Sequence, residues 1–358
     1  MKQESYDFLA RLIEAPSPSG FEQPAAAVFR QYCSAFADRV TTDVMGSTVA
    51  VLNADAKPRV MLSGHIDEIG FMVSGFDSKG FITFNTIGGV DPHLIPGKRV
   101  HIHARKGKVL GVIGKKAIHL TEQDERKKVG ELHNFCIDVG AKSKKAAGKL
   151  VEVGDPVTFV DTIDRLQGDL AAGRGFDDRT GAFVVARTLH LLQPKKDSLK
   201  VGVYGVASVQ EEVGLRGART AAYEIDPLVG IAIDVGFATD HPGVDTKRHG
   251  EYFLGKGPII ARGANINPKV CELLIKAARK VRVPYQMQGI PGGTGTDANA
   301  IQVSRAGVAA GLLSVPLRYM HTPVEVLALS DLDNSAKLLA QFVLSIDENT
   351  SFIPTGGG

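Results

Sequence analysis

The stretch Val60-Met61-Leu62-Ser63-Gly64-His65-Ile66-Asp67-Glu68 decides how the rest of the chain reads. Its apolar half predicts a short strand, and it runs straight into an imidazole and two carboxylates. Two other apolar runs behave alike: 201–209 leads into Glu211-Glu212-Val213-Gly214, and 228–233 into Asp234-Val235-Gly236. Three strands thus deliver His or carboxylate side chains at their C-terminal ends, where open α/β sheets place their ligands. Two more candidates join them. Asp177 and Asp178 stand in Gly175-Phe176-Asp177-Asp178-Arg179, just ahead of a helix, and His321 follows a predicted strand at 308–313.

Working outward, helices and strands alternate after Gly175: helix 179–192, strand 199–207, helix 216–223, strand 228–233, helix 267–282, strand 308–313, and a last helix near 331–345. That alternation predicts βαβ units and a mostly parallel sheet. The N-terminal part reads as two helices, roughly 4–14 and up to about 36, split by Pro16-Ser17-Pro18-Ser19-Gly20, followed by β pieces at 47–52 and 59–62. From about 71 to 162 the texture changes. Gly and β-branched residues alternate with polar ones, as in Val100-His101-Ile102-His103, which predicts a small antiparallel barrel or sandwich. The chain therefore reads as an α/β domain built from both ends and interrupted by a small β domain. The final Thr355-Gly356-Gly357-Gly358 reads as a loose tail.

At 358 residues the chain exceeds one ordinary core, and 44% apolar with 23% charged residues is the composition of a globular protein. A formal charge of +3 and the lack of a dense basic run with aromatics argue against nucleic acid; Lys142 to Lys149 is diluted by alanines and reads as a solvated face. The opening MKQESYDFLARLIEA is an amphipathic helix pattern, with Glu4 and Asp7 where a secretion signal would be apolar. No membrane span is expected. The three cysteines, Cys33, Cys136 and Cys271, lie far apart, which fits reduced thiols in a cytoplasm and small buried hydrophobes.

Taken singly, each polar piece has a plain structural reading. His65 and Asp67 make a hydrogen-bonded pair, Asp-Asp-Arg caps a helix, Glu-Glu-Val-Gly is a solvated turn, and His321 is a satisfied loop histidine. Taken together, they fall at element ends that share one rim. Imidazole and carboxylate ligands without thiolate suit zinc, cobalt or manganese. Two such ions held about 3.5–4 Å apart polarise a carbonyl and activate a water between them. Five side chains supply the ligands, and a sixth carboxylate must stay free to take the water's proton. The Glu211-Glu212 pair offers both roles.

The order HxDE, (F/L)D(D/N)R-x-G, EEVG, (I/V)DVG and RYMHTPVEV resembles the M42 family of co-catalytic metallo-aminopeptidases, of the clan that also holds M18, M20 and M28 peptidases. The likeness extends to IGG…IPGKRV and IDVGA…VEVGDPVTF in the middle of the chain and to GGTGTDA at 292–298. It implies a three-layer, zinc-peptidase-like α/β domain of residues 1–70 and 163–358 with a mixed, mostly parallel sheet, and a PDZ-like β-barrel dimerisation domain at 71–162. It implies two divalent ions per subunit, zinc foremost, with His65 and Asp234 on one, Glu212 and His321 on the other, and Asp177 between them. A cis peptide often follows that aspartate in the family. Glu211 becomes the general base and then the proton donor, acting on a hydroxide that bridges the ions. Asp67 hydrogen-bonds the His65 imidazole. Asp178 stands where many relatives carry asparagine.

The implied substrates are short peptides, trimmed from the N-terminus, and the implied partners are copies of the same chain, as dimers that build hollow dodecamers. Neither nucleic acid nor a membrane is implied. The loop 292–297 resembles a family segment close to the substrate; Asp297 alternatively caps the next helix. The histidines of the inserted part (His93, His101, His103, His119, His133) read as surface or interface residues, although His101 and His103 share a strand face. Two other functions stay open: a clan-related amidohydrolase or deblocking enzyme acting on N-acylated amino acids, and a peptide-binding scaffold without turnover. A glycosidase is disfavoured, because two metals are not a pair of carboxylic acids flanking a sugar bond.

Overall fold

The computed structural model describes residues 1–123, 130–160 and 162–354, so the tail at 355–358 lies outside the described residues. Strands β1 (Arg39–Thr42), β2 (Thr48–Leu52) and β3 (Arg59–His65) begin the main sheet. The chain then leaves it for six barrel strands: β4 (Gly70–Phe76), β5 (Ile82–Ile87), β6 (Lys98–Ala104), β7 (Gly107–Ile113), β8 (Ile137–Asp138) and β9 (Pro156–Phe159). After a small β10 (Asp164–Arg165) and β11 (Leu170–Gly173), it returns through β12 (Gly202–Ser208), β13 (Val229–Phe237), β14 (Ile259–Gly263), β15 (Gln286–Ile290) and β16 (Ala309–Leu317), and ends its strands with β17 (Glu325–Ala328). The main sheet runs β1-β2-β12-β3-β13-β16-β14-β15, β10-β11-β17 form a minor sheet, and the six middle strands close into a barrel in the order β4-β5-β8-β7-β6-β9.

The four central strands, β12, β3, β13 and β16, are parallel and nearly continuous in Val, Ile, Leu and Ala, as burial on both faces demands. Antiparallel joins at β2–β12 and β14–β16 flank them, so the sheet is mixed. Helix Phe176–Leu192 covers one face with helices Leu329–Val343 and Pro268–Lys280, while helices Arg216–Ile225 and Asp297–Gln302 cover the other. That is a three-layer arrangement. One large apolar cluster fills it, and a second, built on Phe71, Phe84, Val100, Ile102 and Ile137, fills the barrel. Each part has its own core. Among the described residues no helix is long and apolar enough to cross a membrane.

Two details differ from the sequence-based expectation. Asp234 does not follow a strand; it lies within β13, whose pairing to β16 continues through Phe237 opposite Leu317. The pairing of β13 to β3 stops at Ala232 opposite Ser63, so the two strands part at the rim and Asp234 faces a crevice. Strands β14 and β15 were not foreseen. Gly255 and Gly257 precede the first, whose apolar run is only Ile259-Ile260-Ala261, and the second is a polar edge strand with Gln286 and Gln288. Lys144–Ala147 is a short helix with a solvated lysine face.

Two contacts set how the chain ends meet the rim. A Cβ at Gly64 would stand 2.3 Å from the Gly181 carbonyl carbon, so only glycine lets the start of helix Phe176–Leu192 press against the end of β3. The Arg179 guanidinium is fully buried. It donates to the carbonyls of Leu12, Ile13 and Ala15 at 3.2, 3.0 and 2.5 Å, which closes the C-terminus of helix Gln3–Glu14, and it pairs with Glu68 at 3.0 Å. Arg174 pairs with the same Glu68 oxygen. Replacing Arg179 by Met should destabilise the metal-free protein by about 3–5 kcal/mol, because it removes one of the two cations beside buried Glu68 and leaves three helix carbonyls open. Urea unfolding measures this; a loss below about 1 kcal/mol would show that the network is dispensable.

Candidate metal centre

The rim of the central strands gathers the polar residues singled out in the sequence. His65 ends β3, Glu211 and Glu212 follow β12, Asp234 projects from β13, and His321 lies in the loop after β16. Asp177 enters from the irregular start of helix Phe176–Leu192, where φ/ψ of −77°/110° at Asp177 and −120°/36° at Asp178 interrupt the helical turn. The Asp177–Asp178 peptide is cis.

Asp177 stands at the centre. One carboxylate oxygen lies 3.1 Å from His65 Nε2 and the other 3.3 Å from His321 Nε2. Glu211 Oε2 is 3.8 Å from His65 Nε2, and Glu212 Oε1 is 3.7 Å from His321 Nε2. Ligating atoms of His65, Asp177 and Glu212 fall within 4.8 Å of one another, as do those of His65, Asp178 and Asp234. All six sequence-derived candidates on this rim, together with Asp67, are brought together. His101 and His103 lie on β6 instead, where His103 Nε2 is 2.9 Å from the Thr158 hydroxyl, away from this cluster.

Crowding dominates the electrostatics. Burial pushes the Glu211 carboxyl up to about 9, with Asp234, Asp297 and Glu212 adding to the rise against the pull of His65. Burial and then Asp177 raise Glu212 to about 7. Asp234 is raised well above the carboxylate range by burial and by Asp177, among others. Burial disfavours the Asp177 anion, yet its two imidazole partners hold its pKa well below the ordinary value. The hydrogen bond to Asp177 raises His321 to about 9. Burial opposes a charge on His65, but Glu211, Asp177 and Asp67 outweigh it and raise its pKa. So many carboxylates in one pocket stay ionised together only if cations join them. Glu212 Oε1 is buried with no hydrogen-bond partner, which is the state of a ligand atom lacking its ion. The residues present fit divalent metal.

Glu325 was not legible beforehand, while Asp178, Asp67 and Asp297 were named and make contacts beyond those expected. Glu325 is fully buried; its two oxygens accept from the backbone N–H of His321 at 2.9 Å and of Asp177 at 3.2 Å. Asp178 accepts from the backbone of His65 at 3.2 Å and of Gly181 at 2.9 Å, so it caps the helix that begins at Arg179 and ties it to β3. The Asp67 carboxylate accepts from Ser19 Oγ at 2.7 Å and from the N–H groups of Glu211 and Glu212 at 3.0 and 3.2 Å. Its oxygen stands 3.4 Å from His65 Nδ1, while its backbone carbonyl lies closer, at 3.1 Å. Asp297 does not cap its helix: Thr296 does, and the Asp297 carboxylate accepts from Ser63 and Ser208 hydroxyls at 3.0 and 2.6 Å beneath the site. Glu325 sat inside the RYMHTPVEV stretch, and a carboxylate four residues past a candidate ligand was the signal available.

A carboxylate-rich rim with two imidazoles, on an α/β sheet, defines a class of metal-dependent hydrolases. The family model described as M42 glutamyl aminopeptidase matches residues 46–338. A lysyl aminopeptidase of Pyrococcus furiosus is 36% identical over 337 residues, covering 93% of this chain and 95% of the relative. The crystal structure of a TET aminopeptidase from the marine sediment archaeon Thaumarchaeota archaeon SCGC AB-539-E09 superposes with a TM-score of 0.91 at 36% identity, covering 96% of this chain and 97% of that one. The Pyrococcus horikoshii TET1 peptidase, whose structure is described as assembling into a tetrahedron or a large octahedral shell, follows with a TM-score of 0.85 at 30% identity, covering 96% and 100%. This chain belongs to the M42 family of aminopeptidases. It is a peptidase, a hydrolase of peptide bonds.

Because Glu211 near 9, Glu212 near 7 and His321 near 9 carry protons in the metal-free protein at neutral pH, an incoming cation must displace them. Zinc affinity should therefore rise from pH 6 to pH 8, with net proton release. Calorimetric titration in two buffers of different ionisation enthalpy reads this directly, and pH-independent binding would contradict it.

Proposed function

We propose that the protein is a two-metal aminopeptidase that removes the first residue of short peptides. The observation that carries the reading is Asp177, whose two carboxylate oxygens face His65 and His321 separately at 3.1 and 3.3 Å. His65 and Asp234 would hold one cation and Glu212 and His321 the other, with Asp177 shared. When bound, the two cations supply Lewis acidity toward the scissile carbonyl and the attacking water. Zinc suits the ligand set first, and cobalt or manganese also fit.

The remaining work falls to the chain. Glu211 takes the proton of the attacking water and returns it to the leaving amine. Its pKa near 9 reflects unneutralised acidic neighbours, and cations beside it bring that value down toward the working range. Asp67 holds Glu211 and Glu212 by their backbone N–H groups, which fixes one glutamate as ligand and its neighbour as base. Glu325 fixes Asp177 and His321 in the same way.

In this reading the catalytic unit is 1–70 with 163–358, and the barrel at 71–162 is a PDZ-like domain that pairs subunits. The tetrahedral and octahedral assemblies of the P. horikoshii relative, and the dodecamer of the similar PhTET1-12s structure, support self-association into larger shells. Three free cysteines, two of them buried, fit a reducing cytoplasm.

Replacing Glu211 by Gln should lower kcat about 10²–10⁴-fold while both metals stay bound. Full turnover in that variant would remove Glu211 from the mechanism. Aminoacyl-anilides assayed beside N-acyl amino acids, each with zinc, cobalt and manganese, separate the aminopeptidase from an amidohydrolase and read the preferred first residue. No hydrolysis of any of them by metal-loaded protein would leave a peptide-binding scaffold.

A further inference from the structure

The two imidazoles of the site are oriented by different parts of the chain. His65 is buried, and its Nδ1 faces a carbonyl of its own rim, that of Asp67, at 3.1 Å. His321 is 36% exposed, so packing constrains its ring less than that of His65. Glu325 fixes only its backbone N–H. What faces His321 Nδ1 is the Gly89 carbonyl at 2.9 Å, and Gly89 belongs to the inserted barrel, 232 residues away in sequence.

The turn carrying that carbonyl is built to reach the site. It leaves β5 at Ile87 and returns to the barrel core at the fully buried Ile95. Asp91 stiffens it, its side chain accepting from His93 N–H at 2.9 Å. Gly88 takes a left-handed φ of 70°, and a Cβ there would meet Ile69 Cγ2 at 2.8 Å and Glu212 Oε2 at 3.3 Å. A Cβ on Gly89 would stand 3.1 Å from His321 Nδ1. The turn thus presses bare backbone against one histidine and one glutamate of the rim, and no side chain fits between.

We infer that the Gly88-Gly89 turn of the inserted barrel is a positioning element for the cation site of His321 and Glu212. With its Nδ1–H donated to Gly89, the His321 ring presents Nε2 as the ligating atom, the role that carbonyl partners play for metal-binding imidazoles. The barrel, which has an apolar core of its own, is then also part of the metal centre. This inference rests on the two-metal reading above.

Zinc titration against a chromophoric chelator tests it without any reference to turnover. Gly89→Ala should weaken one of the two zinc sites about 10–100-fold and leave the other unchanged. Asp91→Ala, an exposed change that frees the turn from its cap, should weaken the same site in the same direction. In a His321→Ala background, Gly89→Ala should add nothing further, a coupling that a general loss of structure would not show. Two native-strength sites in both single variants overturn the inference, and if Gly89→Ala does not fold, native-strength binding by Asp91→Ala does so alone. A wild-type protein that binds fewer than two zincs overturns the two-metal reading along with it.

Discussion

Buried negative charge is the constraint around which this protein is arranged. Asp177, Glu211, Glu212, Asp234 and Glu325 converge on a rim where, among the described residues, His65 and His321 stand closest as sources of positive charge. In water such a set would repel weakly; in a dry crevice it must protonate or recruit cations. The raised pKa values of Glu211 and Glu212 and the unpartnered Glu212 oxygen are two expressions of that one imbalance.

A fold that tolerates such a site needs rigid support, and the support is mostly backbone hydrogen bonding to further carboxylates. Asp67 holds the Glu211-Glu212 turn, Glu325 holds the Asp177 and His321 segments, and Asp178 holds β3 to the neighbouring helix. Each of these groups is buried and each satisfies donors that irregular chain would otherwise leave open. Gln210, beside the candidate ligands, and His321, itself one, take left-handed backbone conformations, a cost that persists where surrounding contacts over-determine the chain. Below the rim, Asp297 and the Ser63 and Ser208 hydroxyls close the floor.

The inserted barrel interrupts the main sheet between β3 and the strands that follow, yet one of its turns touches the rim. Insertion at that point has a geometric reason. The chain leaves β3 at His65 and enters β4 at Gly70, so the barrel begins five residues beyond a candidate ligand and grows from the edge of the site.

Much of this was written in the sequence, because local rules apply to it. Apolar runs ending in His or carboxylates marked β3, β12 and β13, and helical periodicity marked the helices that cover the sheet. The ligand candidates were legible for the same reason: a polar group at the end of a buried strand has few plain explanations once several share one rim. What local rules do not reach was decided by tertiary structure. The parting of β13 from β3 beside Asp234, the burial of Glu325, and the approach of Gly89 to His321 join residues far apart in the chain. Strand β15 escaped because an edge strand with polar side chains carries no apolar run, and β14 because its run, Ile259-Ile260-Ala261, is short and follows two glycines. Residue type and spacing determined which chemistry was available. The distances that turn it into one site arose only when non-local pairing and burial set separate segments against each other.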